Sequence, residues 1–229
     1  GRPLVDRLHR RGGGNPFFTE ELLAVAERGE QRIGLTLQEM LLARVGGLST
    51  ASRHLLRVIA VAGQSARHDV LAKVTRMEQA EIAAPLREAI DRHLLLAGDN
   101  EVMQFRHGLL QEAVYDELLP GERLALHAAV AAAVEAVHDG LDIDAAVASE
   151  LAHHGYEARD ARQALPALLR AGRAAERMFA FGNAFAHYHL ALSLWPAGTR
   201  SVDEVSRHDL SMRTAEAAGA DGVMLPERH

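Results

Sequence analysis

Apolar residues recur along this chain at spacings of three and four far more often than two, the signature of helices with one buried face. After the turn-forming run Gly12-Gly13-Gly14-Asn15-Pro16, residues Phe17, Phe18, Leu22, Leu23 and Ala26 predict a first short helix with a polar first turn, Thr19-Glu20-Glu21. Leu35, Leu37, Leu41, Leu42 and Val45 predict a second, stopped by Gly46-Gly47. Ser49 is placed as the N-cap of a third, carried by Leu55, Leu56, Val58, Ile59 and Val61. Two more helical patterns follow, around 68–74 and 79–92, the latter with Ile82, Leu86, Ala89 and Ile90 on one face.

At His93 the period changes. Residues 94–97 and 102–105 read as short strands around Gly98-Asp99-Asn100-Glu101, residue types that tolerate positive φ, and predict one β-hairpin near 94–105, the only one the pattern supports. A helix over 106–118 follows, then punctuation at Pro120-Gly121-Glu122, then an Ala-rich helix over 123–138. Helix, helix, hairpin, helix is winged-helix order; a hairpin that merely bridges the helices of an all-α domain gives the same pattern.

The second half is helical throughout. Residues 140–144 read as a loop, and Val147, Leu151, Ala152 and Tyr156 mark the next helix. Gly172, Ala184, Tyr188, Ala191 and Pro196 are then spaced by 12, 4, 3 and 5, the small-small-aromatic-small-proline pattern of a tetratricopeptide repeat. Small residues let two antiparallel helices approach, and the aromatic fills the gap between them. Residues 203–218 read as the first helix of a following unit, ended by Gly219-Ala220-Asp221-Gly222, and a lone repeat cannot bury its own face, so more repeats are expected beyond it. The predicted class is mainly α: a helical domain at 1–48, a winged-helix-like domain at 49–138, and tetratricopeptide-like helical hairpins at 139–229.

Composition narrows the function. With 48% hydrophobic and 24% charged residues in 229, the chain is globular rather than disordered or fibrous. Lys+Arg at 25 against Asp+Glu at 31 leaves a formal charge of −6, which repels phosphate backbones and argues against a dedicated nucleic-acid module. Absence of cysteine removes disulfides, thiolate metal sites and thiol nucleophiles. No charge-free apolar run reaches the roughly 18 residues of a membrane-spanning helix. The start Gly1-Arg2-Pro3-Leu4 lacks a secretory pattern and an initiator Met, so a cytoplasmic segment of a longer protein is expected.

No catalytic constellation emerges. Lys73, the sole lysine, has Arg67 and Ala72 where a phosphate-binding loop needs glycines, and Val74 where it needs Ser or Thr. Gly12-Gly13-Gly14 reads as a helix-start linker, with anion binding through its amides as the alternative. His153 and His154 are adjacent, hence splayed by about 100° on a helix, and are read as packed or surface residues rather than joint metal ligands. His187 and His189, two apart, are read the same way. The expectation is no catalytic residue and no metal ligand.

Three stretches in order carry a resemblance: Gly14-Asn15-Pro16-Phe17-Phe18-Thr19-Glu20-Glu21-Leu22; then Phe105-Arg106-His107-Gly108-Leu109-Leu110-Gln111-Glu112-Ala113-Val114-Tyr115; then Ala191-Leu192-Ser193-Leu194-Trp195-Pro196. Together they resemble the large ATP-binding LuxR-type regulators of the STAND class of signal-transduction ATPases; related modules follow nucleotide cyclases and kinases. The resemblance implies a non-catalytic regulatory segment behind an AAA+-like nucleotide-binding core that lies outside this sequence, with ATP or ADP held only together with that core. It implies that Gly14 and Pro16 start the helical domain against the adenine, and that His107 reaches the β-phosphate of ADP in the closed state. It implies a protein or small-molecule inducer on the repeats, DNA contact only through a region outside this chain, and no membrane. Family relatives commonly place Asp where Gly108 stands. Read from the residues alone, His107 also fits a strand-end side chain satisfied by a backbone carbonyl. The alternative functions are an accessory module of a nucleotide cyclase or kinase, and a free-standing winged-helix DNA-binding protein with the helix around 79–92 as its recognition helix, where Glu78, Glu81, Glu88 and Asp91 surround Arg87 and Arg92.

Overall fold

Ser49 begins the first long buried helix: its hydroxyl oxygen accepts from the Ser52 amide at 3.2 Å, satisfying one of the donors that a helix start leaves open. The computed structural model describes residues 37–63, 65–138 and 144–221. The chain divides into two compact units, 1–48 and 49–229. Of the first, helix α1 (Leu37–Gly46) is described, ending at the predicted glycines. The helix expected over residues 17–26 lies outside the described residues.

The second unit opens with α2 (Thr50–Ala62), whose Leu55, Leu56, Val58, Ile59 and Val61 are all at most 2% exposed. Each such side chain contributes about 1.5–3 kcal/mol on leaving water, which explains why this stripe forms the core. Then come β1 (Ser65–Arg67), α3 (His68–Thr75), α4 (Gln79–Asp91), β2 (Leu95–Ala97) and β3 (Val102–Phe105). The three strands form one antiparallel sheet in the order β1-β3-β2, with Ser65 opposite Gln104 and Leu95 opposite Phe105. Helix, strand, helix, helix, strand, strand with the last strand central is a winged-helix arrangement. The predicted hairpin is present, and its turn is a 3₁₀ element (Asp99–Glu101) in which Glu101 takes φ 59.

Helix α5 (Gly108–Asp116) leads into α6 (Pro120–Val137), α7 (Ala145–Glu157), α8 (Ala161–Arg177) and α9 (Phe181–Leu194). A short hairpin, β4 (Ser201–Val202) and β5 (Val205–Ser206), precedes α10 (Arg207–Asp221). From α6 onward each helix packs on the next, and α6 also packs on α2 and α3. Among the described residues there are ten α-helices, and the fold is mainly α with a small antiparallel sheet.

Three details differ from the sequence pattern. Helix α6 starts at Pro120, not 123, because proline suits the first helical position, where its missing N–H costs nothing. The β4–β5 hairpin is a second one, turned by Asp203 and Glu204, both at positive φ (46° and 63°), without a glycine. Helix α10 continues through Gly219 and Ala220, where an end was expected. Among the described residues, no helix is long and apolar enough to cross a membrane.

Candidate functional site

Two features of the second unit bear on chemistry: the joint between β3 and α5, and the face where α6 meets α7. The joint begins with Phe105 buried and the Arg106 amide donating to the Leu94 carbonyl at 3.0 Å, which ends the sheet. His107 is extended (φ −142°, ψ 131°) and half-buried, and it is the N-cap residue of α5. Its carbonyl accepts from the amides of Leu110 and Gln111 at 3.1 and 3.5 Å. The first turn of α5 has no acidic residue, so nothing within that turn offsets the positive end of the helix dipole. Gln111 Nε2 donates to the Ala60 carbonyl at 2.8 Å, pinning α5 to α2, while Leu110, Ala113 and Val114 fill the core. The stretch 105–115 is thus fixed at both ends of its first two turns. Gly14 and Pro16 lie outside the described residues, so of the three nucleotide-contact candidates only His107 has a described position.

At the second feature His154 is packed and His153 lies at the surface, and a third imidazole joins them. The two rings do leave α7 in different directions, yet their ligand nitrogens and one from His127 of α6 all lie within 4.8 Å of one another. Ring centroids are 5.0 Å apart for His153 and His154, 5.1 Å for His127 and His154, and 5.6 Å for His127 and His153. A helical angle of about 100° applies to Cα–Cβ directions; two further side-chain torsions let both rings converge on a third element. His127 and His154 are buried and His153 is exposed. The triad was missed because its third member is 26 residues away. A usable signal existed: His127 shares a helical stripe with Val130, Ala131 and Val134, and His154 with Leu151, all buried.

His127 Nδ1 and His154 Nδ1 are 2.8 Å apart, so one carries the proton and the other accepts it. The Tyr115 hydroxyl lies 3.1 Å from His127 Nε2 and completes a chain Tyr115–His127–His154 that runs with either polarity, depending on the tautomer. Arg123 stacks 4.5 Å over the Tyr115 ring and donates to the carbonyls of Asp116 (3.0 Å) and Leu118 (3.2 Å), holding the tyrosine edge in place. Burial, reinforced by the charges of His153 and Arg123 against a partial pull from Glu157, pushes His127 down to about 4. Burial and the neighbouring imidazoles push His154 down to about 3. Both are neutral at physiological pH, with lone pairs available.

The remaining histidines do less. His187 Nε2 lies 3.5 Å from the Ser149 hydroxyl, with its pKa lowered by burial, and exposed His189 stacks on Phe185 at 5.7 Å; the first is a packed and the second a surface side chain. His138 Nδ1 lies 2.8 Å from the Val134 carbonyl at the end of α6.

On α4, the candidate recognition helix, the half-buried Glu88 is tied back to the start of α2. Its carboxylate accepts from the Ser49 amide at 3.1 Å and the Ser52 hydroxyl at 2.5 Å, and these bonds lower its pKa. The exposed residues of α4 are Ala80, Glu81, Ala83, Ala84, Arg87 and Asp91, a face with more negative than positive charge. The chain matches no protein-family model, and no curated protein or solved structure is similar to it.

Proposed function

We propose that this chain is a non-catalytic regulatory segment of a STAND-type ATP-binding transcriptional regulator, coupling the nucleotide state of a preceding core to partner or inducer binding on the helices that follow. The observation that carries the reading is His107: within the family-like stretch 105–115, it stands between a central strand and the N-terminus of α5, where a helix end and an imidazole donor both favour an anion. ADP, when bound to the core, supplies the β-phosphate; this chain supplies the donor and holds it through Phe105 and Gln111. The small-residue contact of α8 with α9 supports a tetratricopeptide-like array as the sensor, and the reading entails a cytoplasmic protein.

The test is ADP affinity by calorimetry in the intact regulator, with and without His107→Ala. A hydrogen bond to a charged group is typically worth about 1.5–3 kcal/mol, so affinity should fall by roughly one to two decades and output should rise without inducer. Equal affinities in two folded proteins would reduce His107 to a structural residue.

The winged-helix strand order favours a second reading, direct DNA binding. The negative balance on the exposed face of α4 opposes it, since duplex recognition begins with phosphate neutralisation. Anisotropy at physiological salt separates the two: a sequence-selective complex tighter than about micromolar selects DNA binding.

A further inference from the structure

We propose that His127, His153 and His154 form a binding site for one divalent transition-metal ion of the zinc class, joining α6 to α7. Three imidazoles without thiolate or carboxylate suit Zn²⁺, Co²⁺, Ni²⁺ or Cu²⁺ and are poor ligands for Mg²⁺ or Ca²⁺, which require oxygen.

The geometry is close to what such an ion needs. With metal–nitrogen bonds of about 2.0–2.1 Å, two ligands of a tetrahedral site sit about 3.3 Å apart. The His127 and His154 Nδ1 atoms are 2.8 Å apart, and the whole set lies within 4.8 Å. Closing the site requires the buried pair to part by about half an ångström, the proton between the two Nδ1 atoms to move to its ring's own Nε2, and the His153 ring to swing inward, a side-chain rotation that its exposure permits. These movements leave α6 and α7 where they are.

The surroundings have the form of a metal site's outer shell. If Tyr115 accepts from His127 Nε2–H at 3.1 Å, the tautomer is fixed with the lone pair on Nδ1, the atom that faces His154. Arg123 holds Tyr115 from the other side of its ring. The fourth coordination position opens beside exposed His153 and takes water. Because α6 also packs on α2 and α3, an ion here ties the winged-helix elements to the helices that follow. This inference does not depend on the nucleotide reading: it uses no residue of the β3–α5 joint.

The experiment is a Co²⁺ titration of the chelator-stripped full chain at neutral pH, read by visible absorption. One equivalent should bind with the intense band of four-coordinate cobalt, and Zn²⁺ should displace it. The chain has 13 histidines, so binding alone does not locate the site; the exposed-residue variant His153→Ala does, and should weaken binding at least tenfold with helix content unchanged. Tyr115→Phe should weaken it too, by about tenfold, through loss of the tautomer-fixing oxygen. Absence of a saturable band up to about 100 µM Co²⁺, a weak six-coordinate spectrum, or an unchanged affinity in His153→Ala would each overturn the proposal.

Discussion

Gly172→Ala is the sharpest test of the helical packing. A Cβ at this position in α8 would lie 2.6 Å from Cδ1 and 2.7 Å from Cζ of Tyr188, and nearer still to Cε1. Carbon atoms in ordinary contact sit about 3.5–4.0 Å apart, so the ring or the helix must retreat by roughly an ångström. Tyr188 has nowhere to go: it is 0% exposed, between Ala184 and Ala191, also 0% exposed. Alanine gains about 1 kcal/mol over glycine in a helix interior, while overpacking a filled core costs about 1–3 kcal/mol and sometimes more. With a whole ring face obstructed, the cost belongs at the upper end, and the net expectation is about 2 kcal/mol of destabilisation. Urea unfolding followed by circular dichroism should show the midpoint falling by about 1 M, given slopes of about 1–3 kcal/mol per molar. Gly219→Ala in α10, where an added Cβ meets nothing within 4 Å, is the matched control and should be neutral or slightly stabilising. If Gly172→Ala left the midpoint unchanged or raised it, close approach of α8 and α9 would not be what glycine provides there.

The apo chain should lose stability on mild acidification. Both His127 and His154 titrate lower in the folded state (about 4 and about 3) than the ordinary 6.5, so the unfolded chain binds more protons below about 6.5 and stability falls progressively down to about 4 and about 3, by a few kcal/mol in order of magnitude; a urea midpoint flat between pH 7 and 4 contradicts this. Glu88→Gln should lower the midpoint at neutral pH, since the ionised carboxylate holds Ser49 and Ser52. Its folded pKa is depressed, so the difference from the parent should vanish as pH falls through that value. Tyr188→Phe should be neutral or stabilising by up to about 1 kcal/mol, measured by thermal melting, because the buried hydroxyl finds no hydrogen-bond partner among the described residues. Burial, with the Glu176 carboxylate nearby, also pushes that hydroxyl's pKa up.

Elements whose cause is local were legible from residue order. Ser49 caps α2 because a hydroxyl precedes a buried apolar run, and β2–β3 turns where Glu101 accepts positive φ. Strand β1 was not legible: Ser65-Ala66-Arg67 is too short to show alternation, and its partner β3 is 35 residues later. Asp203-Glu204 lacks the glycine that normally marks a tight hairpin, so the turn and β5 read as the start of a helix over 203–218, which in fact begins at Arg207. The position of His107 could be read because a strand pattern abuts a helix pattern there. The imidazole triad could not, since adjacency along α7 argues for divergence and only the docking of α6 supplies the point of convergence.

Helix α6 packs on α2 and α3 and also on α7. Its buried residues include Val130, Ala131, Ala133 and Val134 as well as His127, so no side of the contact can be removed without uncovering apolar wall and an imidazole. Split between α6 and α7, the chain would yield two pieces that each carry half of one contact. Co-expressed, such halves should find each other as subunits of a heterodimer; expressed singly, the piece ending in α6 should aggregate or self-associate. The joint that looks like a border between two assemblies along the chain is therefore itself a packed interface.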